Sequence, residues 1–366
     1  MNAVERVLRR ADSVQQRFAP TAFLFGVVKK FGDDNGGVLV ANLAYAAFIS
    51  IFPLLLILVT VLVNIAASDP SLRVEVISAA TRQFPLIGSE LASNIHALRR
   101  STSVSLIVGL VILLWGVTRL AQAGLFAMEQ VWNLPGPARP GYGPRLGRSV
   151  VFLSVLALGL VISTLLAGLV TYGHHAVAFR MLAQLLAALA NVGLYFLAFR
   201  VLTPKGVRSR QLIPGAIAGG AFWTLLQALG AYLVHHYLGT NSVYGIFATV
   251  LGLVAWIYFS VEGTVYAAEI NVVLARHLWP RALIQPPLTE ADRASMALQA
   301  LQNQRRAEQQ VQVSFNDRPA GTPAPDSTPQ RPEDVAPPAS TPVEPRAGGP
   351  HSAGPHSPDP RAGGPH

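Results

Sequence analysis

The sequence predicts an all-α, polytopic membrane protein: a six-transmembrane-helix bundle with short outer amphipathic helices and a disordered C-terminal tail. Three observations carry that prediction. Six long apolar stretches, at 37–66, 103–127, 149–171, 181–202, 212–237 and 244–275, each approach or exceed the about 20 residues a helix needs to cross hydrocarbon. Arg and Lys fall almost entirely in alternate loops between them. Charged residues make up only 13% of the 366, half the about 25% usual in soluble domains. Unpaired backbone groups cannot persist in lipid, so the apolar stretches must be helices.

Taken in order, residues 1–36 form a cytoplasmic lead. Within it Ala22–Phe31 is apolar and closes on Lys29 and Lys30, which suits a helix lying in the membrane interface. Gly36-Gly37 gives a flexible corner before the transmembrane domain, residues 37–275. The first span carries Asn42 and Tyr45 at i,i+3 on one face, and Pro53, which removes a helical hydrogen bond and predicts a kink. Between the first two spans, Ser68-Asp69-Pro70 is a helix-start signal. Apolar residues then recur at helical spacing, broken at Pro85 and Gly88, which predicts two short amphipathic helices. In the fifth span Gly215 and Gly219, with Ala216 and Gly220, let another helix approach closely. Residues 276–313 form a juxtamembrane segment in which Leu288–Val311 reads as one soluble helix. From 314 to 366 Pro, Gly, Ala, Ser and His dominate, ending in a repeat of Arg346–His351 at Arg361–His366. Too few apolar residues remain there to offset the entropy of ordering.

The loop charges set the expected orientation. Arg6, Arg9, Arg10, Arg17, Lys29 and Lys30 precede the first span. Arg139, Arg145 and Arg148 lie between spans two and three, and Arg200, Lys205, Arg208 and Arg210 between four and five. Arg276 and Arg281 follow the last span, whereas Gly239–Val243 carries no charge and the third-to-fourth loop only Arg180. By the positive-inside rule both termini are cytoplasmic. The net charge of +9 thus flanks the spans rather than forming a nucleic-acid surface. The expected partners are the lipid bilayer and an unidentified transported small molecule or ion, with no nucleic acid.

Several chemistries are excluded. The chain has no cysteine, so disulfides, thiolate metal sites and Cys nucleophiles are ruled out. Its three lysines, Lys29, Lys30 and Lys205, sit in no phosphate-binding Gly-x-x-x-x-Gly-Lys run. No His-Glu-x-x-His helix or Gly-x-Ser-x-Gly elbow occurs. His174-His175 and His235-His236 are adjacent pairs, which diverge by about 100° around a helix and cannot clamp a metal on one face. Neither cofactor, metal nor catalytic residue is expected.

Charges at membrane depth are costly and therefore mark candidate sites. In the second span Trp115, Arg119, Gln122, Phe126 and Glu129 line one face; in the sixth, Tyr258, Glu262, Tyr266 and Glu269 do so, with Asn271 just beyond. Arg119 is expected to face the sixth helix, with Glu262 or Glu269 pointing into the bundle. Two readings stand: a static ion pair that fixes helix register, or a substrate or proton site.

Several runs together resemble the YihY/BrkB family of bacterial inner-membrane proteins. They are Leu43-Ala-Tyr-Ala-Ala-Phe-Ile-Ser-Ile-Phe-Pro-Leu-Leu-Leu56, Trp115 with Val131-Trp132, Leu202-Thr-Pro-Lys205 and Ile213-Pro-Gly215, then Val243-Tyr-Gly245, Trp256, Tyr258 and Ala268-Glu269-Ile-Asn271. They cover roughly residues 25–280 in the family's order. Glu129 stands where the family more often has Asn. The resemblance implies six spans with cytoplasmic termini. Members have carried ribonuclease BN and virulence labels, but a nuclease needs metal-binding carboxylates facing water, and Glu262 and Glu269 lie at or near lipid depth. The function expected is a secondary transporter or exporter of an unknown solute, ion or lipid-like molecule. The alternative is a non-transporting membrane protein that organises the envelope or scaffolds partners.

Overall fold

A computed structural model describes residues 3–66, 103–172, 177–237 and 245–315. The expected outer helices and the C-terminal tail lie outside those residues. Among the described residues all regular structure is helical. Helix α1 is Ala3–Arg17, α2 Ala19–Asp33, α3 Gly36–Ala66, α4 Ser103–Val131, α5 Tyr142–Tyr172, α6 Val177–Leu202, α7 Ile213–Tyr237, α8 Gly245–Ala275 and α9 Glu290–Gln302. Each of the six apolar stretches is thus one helix. Three of them contain segments long and apolar enough to cross a membrane: Met181–Leu202, Ser209–Gly230 and Val250–Ala275. A fourth is present if α2 and the start of α3, bent by 70° from one another, are taken together.

That bend has a local cause. Asn35, at φ 55°, adopts the left-handed conformation that Asn tolerates better than most residues, and α2 stops there. The corner therefore turns on Asn35, one residue before the expected Gly36-Gly37. Gly36 is required for another reason: a side chain on it would run into the ring of Phe31. Pro53 lies within the helical run of α3, and its side chain lies outside the described residues.

The six long helices close on one another in a cycle. Helix α3 packs on α4 and α8, α4 on α5, α5 on α6, α6 on α7, and α7 back on α8. Helix α2 lies against α8 with Ala22, Gly26, Val27 and Lys30 turned inward, one turn apart in sequence. The buried core collects Leu39, Val40 and Leu43 of α3, Leu125 and Met128 of α4, Phe199 of α6, and Val265, Ala268 and Val272 of α8. Large apolar side chains also cover the outside, including Leu182, Leu185 and Leu189 of α6, Leu225 and Leu229 of α7, and Leu251 and Phe259 of α8. Contiguous apolar surface on this scale suits lipid rather than water.

Glycine governs the closest approaches. A Cβ on Gly215 would overlap the Ala267 carbonyl and the Asn271 amide of α8. One on Gly219 or Gly220 would strike Tyr195 or the Val192 backbone of α6. The expected small-residue stripe thus serves two neighbours rather than one.

After α8 the chain turns at His277, which has a positive φ of 52°, and folds back against α2. Helix α9 begins at a capping box, in which Thr289 accepts from the Asp292 N–H at 3.1 Å and the Asp292 carboxylate accepts from the Thr289 N–H at 3.2 Å. It ends at Gln302, so the soluble helix expected over Leu288–Val311 is shorter and is docked, not free. Helix α1 was not anticipated within the lead; its polar composition conceals it from a reading based on apolar runs.

Candidate functional site

Lys30 is the centre of the site. It sits in the last turn of α2, its side chain 0% exposed, held under the end of α4 and beside α8. An ammonium so placed requires compensating partners. Its Nζ donates to Asp34, one turn on, and to the Val131 carbonyl at 3.1 Å. On the other side lies Glu269 of α8, its Oε2 3.6 Å from the same nitrogen. Glu269 is 0% exposed, and neither of its oxygens receives a hydrogen bond. Asp34 is anchored further by Asn133, whose Nδ2 donates to its Oδ1 at 3.0 Å. Asn133 reaches that position from a left-handed φ of 47° just past α4. Burial pushes the Asp34 carboxyl above its ordinary value, outweighing the lowering by the adjacent Lys30 ammonium.

One ammonium therefore faces two buried carboxylates. With both ionised the group carries a net charge of about −1 in a region sealed from water; a single proton makes it neutral. Tyr266, one turn before Glu269 on α8, stacks on Phe31 of α2 with ring centroids 4.2 Å apart, so an aromatic pair flanks the cluster.

A second ionic group fastens the C-terminal segment over the first. Arg281, 1% exposed, donates through Nε to Asp292 at 2.5 Å and through Nη2 to Asp33 at 2.6 Å. Lys29 donates to the same Asp292 oxygen at 3.0 Å and to the Ala282 carbonyl at 2.7 Å. Burial by itself would raise Asp292, but hydrogen bonds from Arg281, Lys29, the Ala282 N–H and Thr289 hold it well below the usual carboxylate range. Gln299 donates to the Asp33 carbonyl at 2.7 Å, and Gln302 accepts from Asn133 at 2.9 Å. Through Asn133 the two groups share one network.

The residues singled out from sequence are distributed differently from expectation. Glu269 is buried in the bundle, as one of the two sixth-span carboxylates was expected to be, but its partner is Lys30. Arg119 does not face the sixth helix. It is exposed, with its guanidinium 5.1 Å from the ring centroid of Trp115 one turn earlier, itself 55% exposed. Ala121, Leu125 and Met128 hold the inward face of α4 instead, and the cation rests on its own helix's aromatic. Glu262 is half-buried and joins no ion pair among the described residues. Glu129 is buried and pairs with Arg145 of α5, and Gln122 donates to Ser149 of α5 at 3.0 Å. The second-span stripe thus serves the α4–α5 contact. Asn42 and Tyr45 are exposed, because Leu39, Val40, Leu43 and Ala46 take the buried face of α3. Asn271, 1% exposed, accepts from the Gly215 N–H at 2.7 Å, satisfying a donor in the first turn of α7 that has no intrahelical partner. It is a packing residue.

Sequence reading missed Lys30, Asp34, Asn133, Arg281 and Asp292. One signal was present: Lys29–Asp33 and Lys30–Asp34 are both i,i+4 pairs, a spacing that brings opposite charges together on a helix.

Apolar helices of spanning length around a sealed ionic cluster define a helical integral membrane protein. The family model for virulence factor BrkB matches residues 27–290, and the chain belongs to that family. The match takes in Lys30, Asp34, Asn133, Glu269 and Arg281 and ends before Asp292. No curated protein and no solved structure matches the chain significantly.

Proposed function

We infer that this is a secondary transporter or exporter of a solute, ion or lipid-like molecule in the bacterial inner membrane, and not an enzyme. In this reading helices α3 to α8 each cross once, giving six spans, and the basic loops place both termini in the cytoplasm. Their lengths of 31, 29, 31, 26, 25 and 31 residues suit that assignment.

The observation that carries the reading is the Glu269 carboxylate: fully buried, without a hydrogen bond, and sharing one ammonium with Asp34. A group built only to lock helices is normally satisfied at each oxygen. An unsatisfied acid beside a cation that another acid also holds is suited to exchanging a proton as Lys30 shifts between them. The charged and titratable neighbours are Lys30 and Asp34 in contact, Asp33 beside Asp34, and Tyr266 one turn before Glu269. Proton-coupled cation exchange is the specific version, with Glu269 as carrier.

The test uses the full chain in liposomes loaded with a pH-sensitive dye and an imposed pH gradient, challenged with sodium or potassium chloride. Wild type should dissipate the gradient when cation is added. Glu269→Gln should abolish that flux while keeping the wild-type unfolding midpoint. Equal flux in the two proteins removes Glu269 as carrier. A wild type no faster than empty liposomes favours the non-transporting organiser, for which the ion groups are clamps.

A further inference from the structure

Lys205 and Arg276 are two of the cations that the site above leaves unused. They meet at a half-open cavity of about 270 Å³ between the end of α4, the α6–α7 loop and the end of α8. Trp132, Leu134 and Pro204 supply an apolar wall, and Gln211 completes a polar one. No acidic side chain lines it. Among the described residues neither cation has an ion-pair partner. The Gln211 carbonyl oxygen already accepts from the Arg208 N–H at 3.0 Å, leaving its amide NH2 as a further donor.

We propose that this cavity binds a phosphate-bearing anion, either the headgroup of an anionic phospholipid or a free phosphate. Three features select that chemistry. Two uncompensated cations and an amide donor create a site for an anion with several acceptor oxygens. The volume is below the about 300–1,000 Å³ of pockets that enclose a drug-sized ligand, so a headgroup fits and a whole lipid does not. The apolar wall suits the glycerol and first acyl carbons that follow a lipid phosphate. Basic pockets between helix ends are a recurrent form of headgroup recognition.

The placement gives such binding a consequence. Alternate residues of one turn serve two sites: Val131 and Asn133 belong to the Lys30 cluster, while Trp132 and Leu134 line the cavity. Helix α8 repeats the arrangement, with Glu269 in the cluster and Ala275 and Arg276 at the cavity. An anion drawn between Lys205 and Arg276 therefore pulls on both walls of the ion cluster. The binding itself is independent of whether the protein transports.

The experiment uses the full-length protein in detergent. Retention of phosphatidylglycerol against phosphatidylcholine is read by native mass spectrometry, and inorganic phosphate is titrated calorimetrically. Wild type should retain phosphatidylglycerol selectively. Lys205→Gln and Arg276→Gln should each weaken retention about fivefold, with Lys205→Arg retaining it. Arg210→Gln, on the same loop but outside the cavity, should leave retention unchanged and so separates the site from general lipid adhesion. All three positions are exposed, and a wild-type thermal midpoint checks each variant's fold. Phosphate binding lost in the Gln variants, without lipid retention, assigns a soluble source. Retention unchanged in the Lys205→Gln/Arg276→Gln double variant, or equally reduced by Arg210→Gln, overturns the proposal, as does binding of neither probe.

Discussion

Replacing Lys30 with Met isolates the ionic cluster from everything around it. Met matches the length and apolar stem of Lys, so the change removes the ammonium and little else. What remains is Asp34, 1% exposed, and Glu269, 0% exposed, facing each other without a cation, and a Val131 carbonyl that has lost its 3.1 Å donor. Removing one partner of a buried pair costs about 3–5 kcal/mol, because the surviving charge is left without compensation. Here two carboxylates survive, so the upper part of that range applies where both are ionised. Acidification relieves it. Burial already raises Asp34 in the folded protein, so its contribution is present below the unfolded value of about 3.9 and is lost as pH rises through the raised folded value. Without Lys30 that fall steepens. Reversible unfolding of the full chain in mixed micelles should therefore show a deficit of about 5 kcal/mol at pH 8, the upper end of the range for a broken buried pair, that shrinks at pH 5. Lys29→Met provides the contrast: Lys29 is 21% exposed and its partner Asp292 keeps Arg281, so its loss should be the smaller. A Lys30→Met deficit under about 1 kcal/mol at pH 8, the range of a surface pair, would refute the account. So would one that is equal at the two pH values.

How much of this was legible in the sequence depends on which signal each residue sends. Apolar runs located all six long helices, and the 181–202 run falls inside α6, Val177–Leu202. Helix α5 starts already at Tyr142, within a stretch containing Pro144 and Arg145 that reads as loop. Proline is tolerated in a first helical turn, and the early start is what carries Arg145 to Glu129. Glu269 was visible because a carboxylate in an apolar run is conspicuous. Its partner was not, because Lys30 sends the same signal as every other basic residue flanking a span. Positive charge there serves topology, and nothing local distinguishes a solvated anchor from a buried ligand of two acids. That distinction is made by α9 and residues 276–289, whose return over α2 seals the cluster and which a composition-based reading assigns to solvent. Arg119 failed for the converse reason. Helical spacing placed it on a stripe with Glu129, but Trp115 one turn earlier gives the guanidinium a resting place on the outside.

Topology and close packing supply the remaining tests. A reporter active only in the cytoplasm should be active when fused at Arg145, Arg208 or Pro286 and silent near Ser93 or Thr240; the reverse pattern would invert the orientation of every loop. Gly215→Ala should destabilise by about 1–3 kcal/mol through overpacking, because the new methyl meets the Ala267 carbonyl and the Asn271 side chain. The backbone cannot step aside without breaking the 2.7 Å bond from the Gly215 N–H to Asn271. Gly193→Ala, in α6 with open space around it, should instead gain up to about 1 kcal/mol from helix propensity. Measured as unfolding midpoints in the same micelles, the two changes must move in opposite directions. If Gly215→Ala is stabilised along with Gly193→Ala, the α7–α8 contact at Gly215 is looser than its geometry implies.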